Sequence, residues 1–526
     1  METPIVAHAR SQALGDLLRR SAARLPDKTA LVWRGERESF AQLDAAVNRV
    51  AHSLADRGVG QGDRIAIYSH NCREFALVYF TLARLGAISV PINFMLTAEG
   101  VAYILRHSGA VGLIAEDALA AEAEAAVKQL DGNGIRVFGW IGLGGVPAVE
   151  GWEEVAGWAE HADSSEPDVV VGEDDPIQIM YTSGTESRPK GAVLSSRSLI
   201  AQYVSVVVDG RMSAEDIEVH ALPLYHCAQL HCFLTPDIYL GATSIVLPGP
   251  DPATVLRAIE TERATKLFCP PTVWVSLLRH PEFDDFDLSS LKKGYYGASI
   301  MPVEVLQELA RRLPGVALTN FYGQTELAPL ATVLAPEDQL TKPGSAGRPA
   351  LNVETRVVDD EGVPVGPGVV GETVHRSPQA MLGYWNDPDK TAEAFHDGWF
   401  HSGDLGVMDA DGYLSVVDRK KDMIKTGGEN VASREVEEIL YRHPEISEAA
   451  VVGIPHPHWI EAVTAIVVVR AGTAPTAESV VAHCKQHLAG FKVPKYVTFV
   501  AALPKNPSGK ILKRELRSEY ANLAAD

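Results

Sequence analysis

The sequence predicts an α/β protein. A large N-terminal region of two α/β subdomains plus a small β-barrel-like subdomain is hinged to a small α/β C-terminal domain. Three observations point there. Apolar strand patterns alternate with helical ones up to Asn352, short strands separated by Gly, Pro and Asp follow, and the charged connector Asp418-Arg-Lys-Lys-Asp422 precedes a last compact unit. Alternation of strand and helix implies parallel sheets covered by helices, and many short strands with turn residues imply a small closed sheet.

Taken in order, residues 12–60 predict two helices around the strand Thr29–Trp33. Asp63–Tyr68 is an apolar strand, followed by a helix over Cys72–Leu85 and a strand over Ala87–Pro91. The rhythm repeats through Ala102–Ile114 and from Leu240 to Pro271. The small β unit draws on Thr355–Asp359, Val369–His375 and Tyr413–Val417. Beyond the connector, helix Arg434–Arg442, strands Ile446–Gly453 and Val463–Arg470, and helix Ala477–Leu488 make the last unit. The expected boundaries are 1–419 for the large domain, 420–421 for the junction, which the resemblance given below implies is a hinge, and 422–526 for the small domain.

Composition narrows the function. The 526 residues carry a net charge of −21, which argues against nucleic acid, where basic surfaces supply most of the affinity. The charge is uneven, with 13 Lys/Arg against 12 Asp/Glu from Lys421 onward, as befits a separate unit. Five scattered cysteines without a CxxC pair do not read as a disulfide framework. Met1–Gly15 lacks the apolar core of a secretory signal, and the most apolar stretch, Phe75–Leu96, is broken by Arg84, Gly86, Pro91 and Asn93. No membrane span and a cytoplasmic location are therefore expected.

The chemistry is carried by ordered motifs. Buried-strand residues Ile177–Tyr181 run into Thr182-Ser-Gly-Thr-Glu-Ser-Arg-Pro-Lys-Gly191. Hydroxyl residues around a glycine let backbone N–H groups and side chains converge on phosphate oxygens, and Lys190 adds a positive charge. The generic Walker spacing is absent. Five further signatures follow: Pro223-Leu-Tyr-His226, Tyr322-Gly-Gln-Thr-Glu326, His401-Ser-Gly-Asp404, Asp418-Arg419 with Lys425-Thr-Gly-Gly-Glu-Asn430, and Pro507-Ser-Gly-Lys510. In this order they resemble the adenylate-forming superfamily of acyl-CoA synthetases, peptide-synthetase adenylation domains and firefly-type luciferases, over nearly the whole chain.

The resemblance implies a ligase that converts a carboxylic acid to a thioester through an acyl-adenylate, with ATP, Mg²⁺ and CoA as reactants and cofactor. It places Thr182, Ser183, Gly184, Thr185 and Lys190 around phosphates, Thr325 on the α-phosphate and Glu326 on Mg²⁺. Gly297, Ala298 and Ser299 with Asn320, Phe321, Tyr322 and Gly323 would frame the adenine. Asp404 would hold the ribose hydroxyls with help from Arg419. Lys510 would bridge acyl carboxylate and α-phosphate, and His226 would stand at the mouth of the acyl pocket. Rotation about the hinge at Lys421 would then exchange Lys510 for the Lys425–Asn430 segment, where Gly427 and Gly428 admit the pantetheine thiol.

Two departures stand out. The loop reads Thr185-Glu186-Ser187 where the family has Thr-Thr-Gly. A carboxylate ~5 Å from one phosphate charge at an effective dielectric near 20 costs roughly 3 kcal/mol. Ser187 also removes a glycine's close approach and φ freedom. Acyl-AMP lacks the β- and γ-phosphates, so the sequence predicts mainly thioester formation from acyl-AMP and CoA, with adenylation weakened and a separate adenylating ligase as supplier. The alternative is a complete two-step synthetase, in which Arg188 and Lys190 neutralise Glu186. Carrier-protein loading and an adenylate-binding pseudoenzyme are further alternatives. The second departure is His456-Pro-His458-Trp459-Ile460, where the family has an acid and later a glycine. The segments that the resemblance implies line the acyl pocket, Tyr225–Leu230, Tyr295–Ile300 and Ala328–Thr332, are mostly apolar here and favour a small hydrophobic or aromatic acid without an α-amine. The His226-Cys227 and His231-Cys232 pairs have no zinc-knuckle spacing.

Overall fold

The computed structural model describes residues 9–10, 12–130, 134–144, 150–182, 189–299, 301–419, 422–427, 429–506 and 510–523. Local chemistry sets the first helices where the sequence places them. Ser39 caps Phe40–Asp56 by accepting from the Gln42 N–H, while the Gln42 side chain accepts from the Ser39 N–H. Helix Arg73–Leu85 ends at Gly86, whose φ of +66° suits a residue without a Cβ. Leu17, Phe40, Val47, Phe75 and Phe80 are fully buried between these helices and the sheets. Each such side chain contributes about 1.5–3 kcal/mol by leaving water.

Two large sheets hold the architecture. In the first, strand order runs Arg348–Pro349, Leu330–Leu334, Ala317–Gly323, Lys293–Gly297, Lys266–Phe268, Ile217–His220, Thr243–Val246, Thr29–Trp33, Glu36–Ser39. Its interior pairs are parallel and its outer strands antiparallel. In the second, the order is Gly383–Tyr384, Lys190–Ser195, Pro176–Thr182, Ile88–Ile92, Arg64–Tyr68, Gly112–Glu116, Val137–Ile141, Glu153–Glu154. The expected small β unit is a five-stranded antiparallel sheet, in which Trp399–Met408 pairs with Val370–Arg376, Phe395–His396 and Leu414–Arg419.

The C-terminal unit builds a five-stranded sheet around the long hairpin Ile446–His456 and Ile460–Val469, covered by helices Ser433–Tyr441 and Ala477–His487. Val436, Leu440, Val451, Val463, Val467 and Val480 form its separate core. It docks on the large domain: Ser433 donates through N–H and Oγ to Asp418 Oδ2 at 2.7 and 2.8 Å, and Arg434 donates to the carbonyls of Val416 and, at 3.1 Å, Gly344.

Arg84, which interrupts the apolar stretch in the sequence, is buried and bonded to Asn48 Oδ1, Asp44 Oδ1 and the Gly15 carbonyl. Among the described residues no helix is long and apolar enough to cross a membrane.

Candidate active site

The phosphate loop of the sequence is the connection of an antiparallel hairpin. Strands Pro176–Thr182 and Lys190–Ser195 pair down to Thr182 opposite Lys190. Ser183, Gly184, Thr185, Glu186 and Ser187 lie between them, outside the described residues. The ammonium of Lys190 stands 5.3 Å from the centre of the Tyr384 ring. The Tyr384 hydroxyl in turn donates to Glu326 Oε1 at 2.8 Å. Tyr384 reaches this place because Gly383–Tyr384 adds an edge strand beside Lys190–Ser195, with Tyr384 opposite Ala192. A residue with no part in the sequence motifs thus joins two of their members.

Thr325 and Glu326 follow strand Ala317–Gly323 in a short 3₁₀ turn. A Cβ on Gly323 would lie 1.8 Å from the Pro329 carbonyl oxygen, so the tight return of the chain requires glycine there. Glu326 is nearly buried, and Thr325 Oγ1 meets Cys227 Sγ at 3.2 Å. Burial pushes the Cys227 thiol up to about 12, so it faces Thr325 as a neutral S–H.

His226 precedes the turn Cys227–Gln229, and its Nδ1 accepts from the Ala228 N–H at 3.2 Å. Burial, and then the charge of Lys510, hold its imidazole down to about 4. At neutral pH the ring is therefore uncharged, with its proton on Nε2, and can donate to a carboxylate oxygen. His226 lines a narrow pocket, with a cavity volume of about 10 Å³, together with Leu222, Pro223, Gln229, Phe268 and Ala298.

The strands behind this pocket are spaced by glycine. A Cβ on Gly297 would lie 2.4 Å from the Phe321 carbonyl oxygen. Ala298 follows with φ +63°, which turns the chain out of the sheet, and Ser299 is exposed. Strand alternation puts Asn320 and Tyr322 on one face and Phe321 on the other. Phe321 accordingly stacks in the core on Phe233, with centroids 5.8 Å apart. Tyr295 is likewise core, its hydroxyl bonded to the Gly210 carbonyl at 2.6 Å. Asn320 donates to the Ser345 carbonyl at 3.3 Å.

Tyr322 donates to Asp404 Oδ2 at 2.6 Å, and Asp404 lies opposite Arg419 in the ladder. Arg419 Nε approaches Asp404 Oδ1 at 3.2 Å, off the hydrogen-bond line, and this buried oxygen has no hydrogen bond. An orphaned carboxylate oxygen is an acceptor awaiting a hydroxyl, which fits a ribose. Burial opposes the charge of Arg419, but Asp404 and Tyr322 beside it outweigh that and raise its pKa.

On the C-terminal unit, Lys510 and Asn506 brace each other: the Lys510 N–H donates to Asn506 Oδ1 at 2.8 Å and the Asn506 N–H to the Lys510 carbonyl at 2.9 Å. Lys425 is exposed on the hairpin Ile424–Thr426 and Glu429–Val431, and Gly427 turns it with φ +61°. Gly428 and the hinge residue Lys421 lie outside the described residues. The His456–Ile460 departure packs on this same hairpin. The Gly427 N–H donates to the Trp459 carbonyl at 2.9 Å, and the Trp459 ring stacks on His456 with Lys495 on it at 4.9 Å.

Among the described residues, His226, Cys227, His231 and Cys232 form no metal cluster. His231 is committed through both nitrogens, Nδ1 to the Tyr203 hydroxyl at 2.9 Å and Nε2 to Gln178 Oε1 at 2.6 Å.

The pattern of the AMP-binding enzyme family matches residues 18–385, and that of the AMP-binding enzyme C-terminal domain matches residues 435–510. The chain is 38% identical over 511 residues to feruloyl-CoA synthase of Amycolatopsis sp, covering 97% of this chain and 100% of the relative. It is 35% identical over 509 residues to indoleacetate–CoA ligase of Aromatoleum aromaticum, covering 97% and 98%. Among solved structures, the anthranilate CoA ligase AuaEII in complex with anthranoyl-AMP superposes with a TM-score of 0.91 at 27% identity, covering 98% of each chain.

Proposed function

The chain belongs to the AMP-binding enzyme family and is similar along its length to acyl-CoA ligases, and from that premise we propose that it is a complete ATP-dependent acyl-CoA synthetase acting on a small aromatic carboxylic acid. In the first step a carboxylate oxygen bonds to the α-phosphorus of ATP and pyrophosphate leaves. In the second the CoA sulfur bonds to the acyl carbonyl carbon and AMP leaves. Asp404 Oδ1 accepts from the ribose, and Tyr322 holds the other oxygen of that carboxylate. His226 donates Nε2–H to the acid. Lys510 offsets the negative charge where carboxylate and α-phosphate meet, the point at which fixed cations lower the barrier most. Glu326, a carboxylate held by Tyr384, suits Mg²⁺, which when bound neutralises phosphate charge.

The two-step reading is supported by the similarity along the whole chain to feruloyl-CoA synthase and indoleacetate–CoA ligase, and by Lys510, whose charge helps hold the His226 imidazole down. A cation near His226 suits adenylation, where carboxylate and α-phosphate meet. The aromatic preference is supported by the acids in the names of the relatives.

A second reading rests on Glu186 and Ser187. Their charge and bulk oppose the β- and γ-phosphates and leave thioester formation from supplied acyl-AMP as the main activity. One experiment separates the two. ATP–pyrophosphate exchange is measured with ferulate, indole-3-acetate and anthranilate, beside thioester formation from the corresponding synthetic acyl-AMPs and CoA. The two-step reading expects both activities with at least one acid. Thioester formation without exchange overturns it in favour of the second reading.

A further inference from the structure

Beneath the pocket lies a group of charges that no motif announces. Glu218, His220, Asp237 and Lys266 are all fully buried. Glu218 and His220 lie on the central strand Ile217–His220, Lys266 pairs with Glu218 on the next strand, and Asp237 comes from helix Thr235–Leu240. Lys266 Nζ is 2.8 Å from Glu218 Oε2 and also bonds Asp237 Oδ1. Asp237 Oδ2 lies 3.4 Å from His220 Nε2, an ion-pair contact in which neither atom makes a hydrogen bond. His220 Nδ1 lies 2.8 Å from Gln229 Nε2, and Gln229 Oε1 accepts from the Leu222 N–H at 3.3 Å.

The last bond fixes the direction of the whole chain of contacts. With Oε1 taken by a backbone N–H, Gln229 donates through Nε2, so His220 Nδ1 accepts and the His220 proton sits on Nε2 facing Asp237. Burial lowers the pKa of His220, in keeping with a neutral ring. Burial likewise drives Glu218 well up, leaving Asp237 as the carboxylate that stays charged beside Lys266.

The far end of the chain is the wall of the active site. Leu222, His226 and Gln229 all line the pocket. Asn71 clamps the same segment from the other side, accepting from the Leu224 N–H at 2.7 Å and donating to the Leu222 carbonyl at 2.7 Å. A metal site is the obvious rival, since Glu218, His220 and Asp237 offer ligand atoms within 4.8 Å of one another. Lys266 already sits on both carboxylates, so a cation of the protein's own fills that role. A buried ion pair is a poor source of stability compared with apolar residues of like volume, which leaves positional specificity as its use.

We propose that Lys266, Asp237, His220 and Gln229 form a buried positioning relay that fixes the Leu222–Gln229 segment, and with it His226, against the carboxylic acid substrate. The inference rests on the ligase reading above only for its kinetic readout. Gln229→Leu removes both bonds of the pocket end without stranding the Lys266–Asp237 pair. It is expected to raise KM for the acid about ten-fold, the cost of one or two unmade buried hydrogen bonds. KM for ATP changes less than two-fold. His220→Asn keeps an amide oxygen for Gln229 and is expected to retain most of the native KM, whereas His220→Leu matches Gln229→Leu, and the double variant is no worse than either single one. Hydrogen exchange across residues 221–229 reads the relay without turnover. Protection there falls in Gln229→Leu and His220→Leu but not in His220→Asn. Additive losses, an unchanged acid KM in an active enzyme, or unchanged exchange at 221–229 overturns the relay. A native chain inactive with every acid but with the expected exchange pattern overturns the ligase reading alone. Should Gln229→Leu not accumulate folded, the two His220 variants make the same comparison.

Discussion

Tyr384→Phe removes one oxygen and tests the link between the phosphate hairpin and the Glu326 turn. The lost hydroxyl donates to Glu326 Oε1 at 2.8 Å, and Glu326 is only 8% exposed. A hydrogen bond to a charged group contributes about 1.5–3 kcal/mol, and little water is at hand to replace it. If the carboxylate is held in place chiefly by that bond, the loss translates into about 10- to 100-fold in rate. The ring survives as phenylalanine, so its contact with the Lys190 ammonium, 5.3 Å from the ring centre, is kept. The effect is therefore read at Glu326. Acid-dependent ATP–pyrophosphate exchange is expected to fall about 10- to 100-fold. Thioester formation from supplied acyl-AMP should change less than about three-fold, because that step needs no β- or γ-phosphate. Tyr384→Leu adds the loss of the ring and is expected to lower exchange by a further few-fold, about 0.5–1 kcal/mol. Equal losses in both half-reactions, or none in exchange, refute the assignment of Tyr384 to the adenylation step.

Lys510→Ala should abolish most pyrophosphate exchange while sparing thioester formation from acyl-AMP. In the same variant the His226 pKa, read by NMR of the imidazole, should rise from its depressed value, because one of the two causes of the depression is gone. Burial holds His226 down to about 4 and His231 and His375 down to about 3. These rings are neutral in the fold and take protons near pH 6.5 when unfolded, so the unfolded chain binds more protons between those values. Stability is therefore fully present above pH 6.5 and declines as pH falls toward 4 and 3, which thermal midpoints at pH 7, 6 and 5 will follow. Restoring the family residues with Glu186→Thr and Ser187→Gly should lower KM for ATP by about ten-fold or more if a like charge of roughly 3 kcal/mol is only partly screened. An unchanged KM for ATP means that the loop already pairs Glu186.

The elements were legible wherever a local signal exists. Thr29–Trp33 was placed to the residue, and Arg64–Tyr68, Ile88–Ile92, Ile446–His456 and Ala477–His487 fall within a few positions of their apolar patterns. The motif residues Tyr322, Asp404 and Arg419 come together as the order of signatures implies. Phe321 sits inside a motif yet alternates to the core face, where its ring meets Phe233. Tyr384 was invisible because its role depends on an edge strand formed some 190 residues after the strand it joins. Lys266 carries no motif and sits in an apolar strand, where a lysine ordinarily lowers the case for burial. Only the approach of Asp237 and Glu218 explains it.

That division has a structural cause. Strands Pro176–Thr182, Ile217–His220, Lys293–Gly297 and Ala317–Gly323 all deliver their recognisable residues just at or beyond their C-terminal ends. Open α/β sheets bind ligands there because the connecting loops are free to carry chemistry while the strands carry packing. Loop residues that touch a reactant are constrained by neighbours in sequence, and so they form motifs. The groups that hold those loops still are drawn from different strands and helices: Gln229 reaches Lys266 through His220 and Asp237, and Glu326 reaches Lys190 through Tyr384. Their spacing in sequence is set by topology alone. If this is the right account, substitutions in the support groups should move KM or one half-reaction at a time. Substitution of the motif residue Asp404, whose free oxygen would meet the ribose in both steps, should lower both half-reactions together. Kinetic separation of the two half-reactions distinguishes the classes directly.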